Sequence, residues 1–122
     1  MKKQFISWAD PFLDKEDEKN VVKALRSTWI SGGDYVQKFE KKISNLIDSK
    51  FSISVNNGTS AIHLVYLALG LKPGDEIIIP GFGYLAASNV ALQMGLVPVF
   101  ADVDIDSFCI SAENIIRKIT KK

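Results

Sequence analysis

Four places in the 122-residue sequence bring together residue types that could do chemistry. In Asn56-Asn57-Gly58-Thr59-Ser60, a small polar turn stands between a β-prone run and an apolar segment. A helix starting there aims free backbone N–H groups and the positive end of its dipole at one spot, which suits a phosphate. Gly58 lets the backbone approach closely, while Thr59 and Ser60 add hydroxyl donors. The same residues serve equally well if Thr59 or Ser60 merely caps the helix. Gly81-Phe82-Gly83-Tyr84-Leu85-Ala86 follows a strand-like run, with Asp102 about 20 residues on, the spacing of a dinucleotide fingerprint. Pro80 directly before the first glycine fits that fingerprint poorly. Asp102, Asp104 and Asp106, with Glu113 in the twelfth place from Asp102, have the carboxylate spacing of a calcium loop. Ser107 stands where that loop needs glycine, and a strand precedes it, so a polar strand end is the better reading. His63 lies in an apolar stretch with no cysteine or second histidine nearby, the setting of a satisfied core histidine. No nucleophile–base triad or metal cluster can be assembled.

The elements that must position these residues follow from periodicity. An acidic start, Asp14 with Glu16, Asp17 and Glu18, suits a helix amino end, and Val21, Val22, Leu25 and Trp29 continue at helical spacing. Gly32 and Gly33 stop it, and Asp34 is placed to cap a second helix with the stripe Val36, Phe39, Ile43, Leu46 and Ile47. After Lys50 the pattern changes. Phe51–Val55 reads as a strand, Thr59–Leu69 as an apolar helix, Glu76–Ile79 as a strand and Leu85–Met94 as a helix. Val97–Val103 reads as a third strand, and Ser111 can cap a last helix running to the carboxyl end. Strands begin about every 20 to 25 residues, as crossover connections require. The expected fold class is therefore α/β: residues 1–50 a helical segment, residues 51–122 a βαβαβ unit with a mainly parallel sheet. Ile77-Ile78-Ile79 is apolar on both faces, as strands covered on both sides are. The helix from Ala61 to Leu69 is apolar nearly all round and is expected to be buried. Three strands cannot bury so much, so missing strands or a partner subunit are expected.

Composition limits the function classes. Apolar residues make up 47% and charged residues 24%, an ordinary globular balance that excludes disordered and fibrous chains. A formal charge of +1 gives no field to steer nucleic acid or an anionic membrane. The single cysteine, Cys109, excludes an internal disulfide and fits a reducing, cytoplasmic setting. MKKQFISWADPF lacks the apolar stretch of a signal peptide, and no run approaches the roughly 18 apolar residues of a membrane span.

At Asn57-Gly58-Thr59-Ser60-Ala61 the chain resembles the amino-terminal part of the DegT/DnrJ/EryC1/StrS sugar aminotransferases, which use pyridoxal phosphate (PLP). The likeness keeps its order along the chain. Trp29–Glu40 resembles the family's opening segment, Val55–Leu64 its phosphate turn, and Leu71–Pro80 and Pro98–Asp104 its next two strands. The resemblance implies the large domain of the fold-type I aminotransferase fold, present only in part, with the small domain absent. It implies that Gly58, Thr59 and Ser60 bind the cofactor phosphate and that Tyr84 stacks on the cofactor ring, a task for a flat π-face. Gly83 stands where the family often has threonine. Ser31 and Gly32 lie in a segment that borders the active site in relatives. The Schiff-base lysine and the aspartate that pairs with the pyridinium nitrogen come from later segments in the family. The lysine is thus expected beyond Lys122, no catalytic residue is assigned here, and the chain alone is expected to be inactive. The complete enzyme would move an amino group from glutamate to a nucleotide-linked keto-sugar for amino-sugar or surface-polysaccharide synthesis, as a homodimer. The alternatives are a non-catalytic module keeping phosphate binding or subunit pairing, and a nicotinamide-dependent oxidoreductase built on the Gly81 turn.

Overall fold

A computed structural model describes residues 6–121, so residues 1–5, part of the stretch read for a leader, and Lys122 lie outside the described residues. The chain divides into two compact units, one ending at Ser54 and one starting at Val55.

In the first unit, α1 spans Lys15–Arg26. Asp14, the first residue of the acidic start, caps it: its Oδ1 accepts the N–H groups of Glu16 at 2.8 Å and Asp17 at 3.0 Å. The Asp17 carboxylate accepts the Asp14 N–H in return, completing a capping box. The helix ends before Trp29 because Thr28 takes a left-handed φ of 60°, so Trp29 is not on the α1 stripe as the spacing predicts. The α2 helix spans Asp34–Leu46 and corrects a second expectation, because Gly33 and not Asp34 is its cap. Gly33 enters with φ of 93°, and a Cβ there would stand 2.7 Å from the Trp29 ring. Only glycine allows that approach.

The run Phe51–Val55, expected as the first strand, forms no ladder among the described residues. Side chains on α2 hold its first part instead. Glu40 Oε1 accepts both the Ser54 N–H at 2.8 Å and the Ser54 hydroxyl at 2.9 Å, and the Ser44 hydroxyl donates to that of Ser52 at 3.0 Å. Both hydrogen bonds from Ser54 hold the Glu40 carboxyl below the usual glutamate range. Two residues of extended chain and four of helix rise by about the same 6 Å, so the pairs match. Phe51 and Ile53 are turned out, and a strand also needs a neighbour.

The second unit orders α3 (Gly58–Ala68), β1 (Glu76–Pro80), α4 (Ala86–Gln93), β2 (Val97–Ala101) and α5 (Ala112–Ile116). The strands β1 and β2 pair in parallel from Glu76↔Val97 to Pro80↔Ala101, with α4 as the crossover. The sheet among the described residues thus has two strands where three are expected. Beyond Ala101, the third run continues only as the antiparallel bridge Val103↔Ile110. Tyr66, Ile79, Val90, Ala91 and Leu96 form the core. The Tyr66 hydroxyl donates to Ala87 O at 3.4 Å, and burial pushes its pKa up. The expected burial of α3 is confined to Tyr66, while Leu64, Val65, Leu67 and Leu69 are exposed. One helix packed on α4 and a two-stranded sheet cannot be covered all round. Ser111 caps α5 through the Asn114 N–H, as predicted, but the helix ends at Ile116 instead of reaching the carboxyl end. Thr120 then hydrogen-bonds to the Glu76 carboxylate. No helix among the described residues is long and apolar enough to cross a membrane.

Candidate functional site

The turn at the amino end of α3 has a donor set suited to an anion. Asn57, in an extended conformation, caps the helix, its Oδ1 accepting the Ser60 N–H at 2.8 Å. Neither Thr59 nor Ser60 is therefore the cap. A helix start leaves the first N–H groups without intrahelical partners, and here Gly58 and Thr59 keep theirs open. Ser60 brings only its hydroxyl, because Asn57 already takes its N–H. A Cβ built on Gly58 would meet nothing within 4 Å. Free N–H groups and the positive end of a helix dipole are features that favour an anion. Asn57 is the residue that sequence reasoning passed over. Its signal was there, in an Asx residue three places before Ser60 at the head of an apolar run.

Tyr84 lies in the loop between β1 and α4 in the same unit and is 90% exposed. Phe82, two residues earlier, stacks on Phe108 with ring centroids 5.6 Å apart. The Tyr84 ring has no such neighbour among the described residues, so both its faces are available to a flat group. His63 corrects the core expectation: it is half-buried in α3 and its side chain makes no hydrogen bond among the described residues. Ser31 and Gly32 are exposed in the first unit, with Gly32 at φ of 58° between α1 and α2. Every lysine among the described residues is exposed.

The rival motifs take other roles. Gly81 approaches β2 itself: its N–H donates to Ala101 O at 2.7 Å, and a Cβ would stand 3.3 Å from that oxygen. Leu85, the cap of α4, makes no side-chain hydrogen bond there. Gly81 thus serves a close contact with β2, whereas a Cβ on Gly83 would meet nothing within 4 Å. Asp104 Oδ1 accepts the N–H groups of Asp106 at 3.1 Å and Ser107 at 2.9 Å. These bonds, with the Ser107 hydroxyl, hold its carboxyl below the ordinary value of 3.8. The carboxylate therefore closes a turn, as the strand-end reading expects. A group whose folded pKa is lowered stabilises above its unfolded pKa, and that contribution fades as pH falls through the folded value. Acid unfolding of Asp104→Asn should accordingly be less steep below about pH 4 than that of the parent chain, read by circular dichroism.

Comparison with known proteins agrees with this arrangement. The DegT/DnrJ/EryC1/StrS aminotransferase family matches residues 11–122. The chain is 40% identical to GDP-perosamine synthase of Vibrio cholerae over 114 residues, 93% of this chain and 31% of that protein. Among solved structures, a Streptococcus pneumoniae protein named as a sugar aminotransferase, in its PLP form, superposes with a TM-score of 0.88 at 30% identity, over 94% of this chain and 29% of that one. A GDP-4-keto-6-deoxymannose-3-dehydratase with a trapped PLP-glutamate geminal diamine gives 0.87 at 29% identity, over 94% of this chain and 31% of that one. These neighbours share the fold-type I aminotransferase architecture, of which the helices and small parallel sheet described above are a part. The chain spans about a third of the length of the curated relatives it matches. With its parallel strand pair and its ordered likeness from residue 11 onward, the chain belongs to the DegT/DnrJ/EryC1/StrS aminotransferase family.

Proposed function

We propose that this chain is the cofactor-phosphate-binding part of a PLP-dependent aminotransferase that moves the amino group of glutamate to a nucleotide-linked keto-sugar. The product would serve amino-sugar or surface-polysaccharide synthesis. The observation that carries the reading is the open N–H pair of Gly58 and Thr59 at the head of α3, in a chain of an aminotransferase family. The nucleotide-sugar substrate is supported by the name of the Vibrio relative, and glutamate by the trapped adduct in the dehydratase.

When bound, PLP supplies the electron sink for breaking the bond to the amino-bearing carbon. The residues of this chain would hold it in place. The N–H groups of Gly58 and Thr59, with the hydroxyls of Thr59 and Ser60, would grip the phosphate, while Asn57 keeps the helix start in shape. Tyr84 would lie against the ring and limit its tilt. Ser31 and Gly32 would border the substrate. The lysine that binds the cofactor covalently and carries the proton would come from sequence beyond Lys122, so residues 1–122 alone would not turn over. The remaining domain and a second subunit of a cytoplasmic homodimer would cover the exposed apolar side of α3.

The test is borohydride reduction of the full protein with PLP, followed by peptide mapping and by assay with glutamate and nucleotide-linked keto-sugars. The expected outcome is a reduced label on one lysine outside residues 1–122 and amino transfer dependent on both substrates. Specific labelling of a lysine within residues 1–122, or no retention of PLP, would overturn the reading.

A further inference from the structure

We propose that Phe108 is a positioning residue for Tyr84, acting through the ring of Phe82. The inference rests on the reading that Tyr84 covers the cofactor ring. Phe108 has a left-handed φ of 54°, where a bulky residue is costly and glycine or asparagine is not. The surrounding turn enforces that conformation. Its ends meet at the Val103↔Ile110 bridge, Asp104 N donates to Cys109 O at 2.9 Å, and Phe108 N donates to Asp104 O at 2.9 Å. Ser107 closes it from within, its Oγ accepting the Cys109 N–H at 3.3 Å. The result is that the Phe108 ring meets Phe82 at 5.6 Å between centroids, tilted by 44°.

That contact sits at a decisive point of the loop. Gly81 is fixed by its N–H on Ala101 O at 2.7 Å, and Phe82 is fixed by the ring pair. Between these anchors and Tyr84 stands only Gly83, where a Cβ would meet nothing within 4 Å. Without the ring pair, Phe82, Gly83 and Tyr84 would swing together. A left-handed phenylalanine at a turn that asparagine would fill more cheaply is explained if its ring is needed to aim the loop.

Fold and site therefore want different residues at this position, and the experiment uses that opposition. In the full-length protein, Phe108→Asn suits the backbone but removes the ring, Phe108→Tyr keeps the ring, and Phe82→Leu removes its partner. Affinities for PLP and for pyridoxal, which lacks the phosphate, are measured by fluorescence quenching, with inorganic phosphate as competitor and thermal unfolding alongside. Phe108→Asn should melt no lower than the parent yet bind both PLP and pyridoxal about five- to tenfold more weakly, the size expected for one lost aromatic contact. Phosphate competition should not move, Phe108→Tyr should behave as the parent, and Phe82→Leu should follow Phe108→Asn. In a Tyr84→Ala background, Phe108→Asn should add no further loss, because the coupling runs through Tyr84. An unchanged affinity in Phe108→Asn and Phe82→Leu, or the same loss with Tyr84 removed, overturns the proposal. If Tyr84→Ala alone leaves pyridoxal affinity unchanged, the reading of Tyr84 fails and the inference goes with it.

Discussion

Replacing Gly58 by aspartate is expected to weaken PLP binding by the full protein about a hundredfold, while its melting temperature stays the same or rises slightly. The two effects have opposite signs for a physical reason. A carboxylate in the first turn of α3 complements the helix dipole, worth about 0.3–1 kcal/mol. The backbone there is not left-handed, and the added Cβ meets open space, so the fold has no cause to object. The same carboxylate would stand beside the N–H groups of Gly58 and Thr59 and repel a dianionic phosphate at short range. Gly58→Ala separates charge from bulk and should cost far less affinity. Isothermal titration with PLP and differential scanning calorimetry on the same samples read both quantities. An aspartate variant that binds PLP as the parent does would remove the turn from the site.

The second large effect lies in the core. Ala91 is fully buried within the cluster of Tyr66, Ile79, Val90 and Leu96. Ala91→Leu adds three carbons where the packing of α4 leaves no room, and should destabilise by about 2–3 kcal/mol. Denaturant unfolding measures it, with a lower midpoint and an unchanged slope expected. A neutral result would mean that α4 packs loosely against β1 and β2.

How much of this was legible in the sequence depended on whether a feature is local. The acidic start of α1 and the Ser111 cap of α5 are local features, and both were readable. The strands at Glu76–Pro80 and Val97–Ala101 are bounded by turns and apolar but for Glu76, and they stood out for that reason. Phe51–Val55 carries an equally good β pattern, yet pattern alone does not provide the neighbour whose N–H and C=O groups complete a strand. The apolar girth of α3 likewise announced a buried helix, but burial depends on what surrounds it. Thr28 and Gly33, which set where α1 ends and α2 begins, act through left-handed conformations that periodicity does not register. In the proposed site, residue type left Asn57–Ser60 open between an anion site and a plain helix cap, and the roles proposed for that turn and for Tyr84 came from family resemblance. The Phe82–Phe108 contact joins positions far apart in sequence and needed coordinates to be seen.

The central claim is that the backbone at the head of α3 holds the cofactor phosphate. Its most direct test is to follow the backbone amide resonances of the full protein by nitrogen-15 NMR during titration with inorganic phosphate and then with PLP. Saturable downfield movement of the Gly58 and Thr59 amide protons is expected with both ligands, because both N–H groups gain a charge-assisted acceptor. The Ser60 amide, already donating to Asn57 at 2.8 Å, should move less. If PLP binds while the Gly58 and Thr59 amides stay still, the phosphate is held elsewhere and the account is wrong.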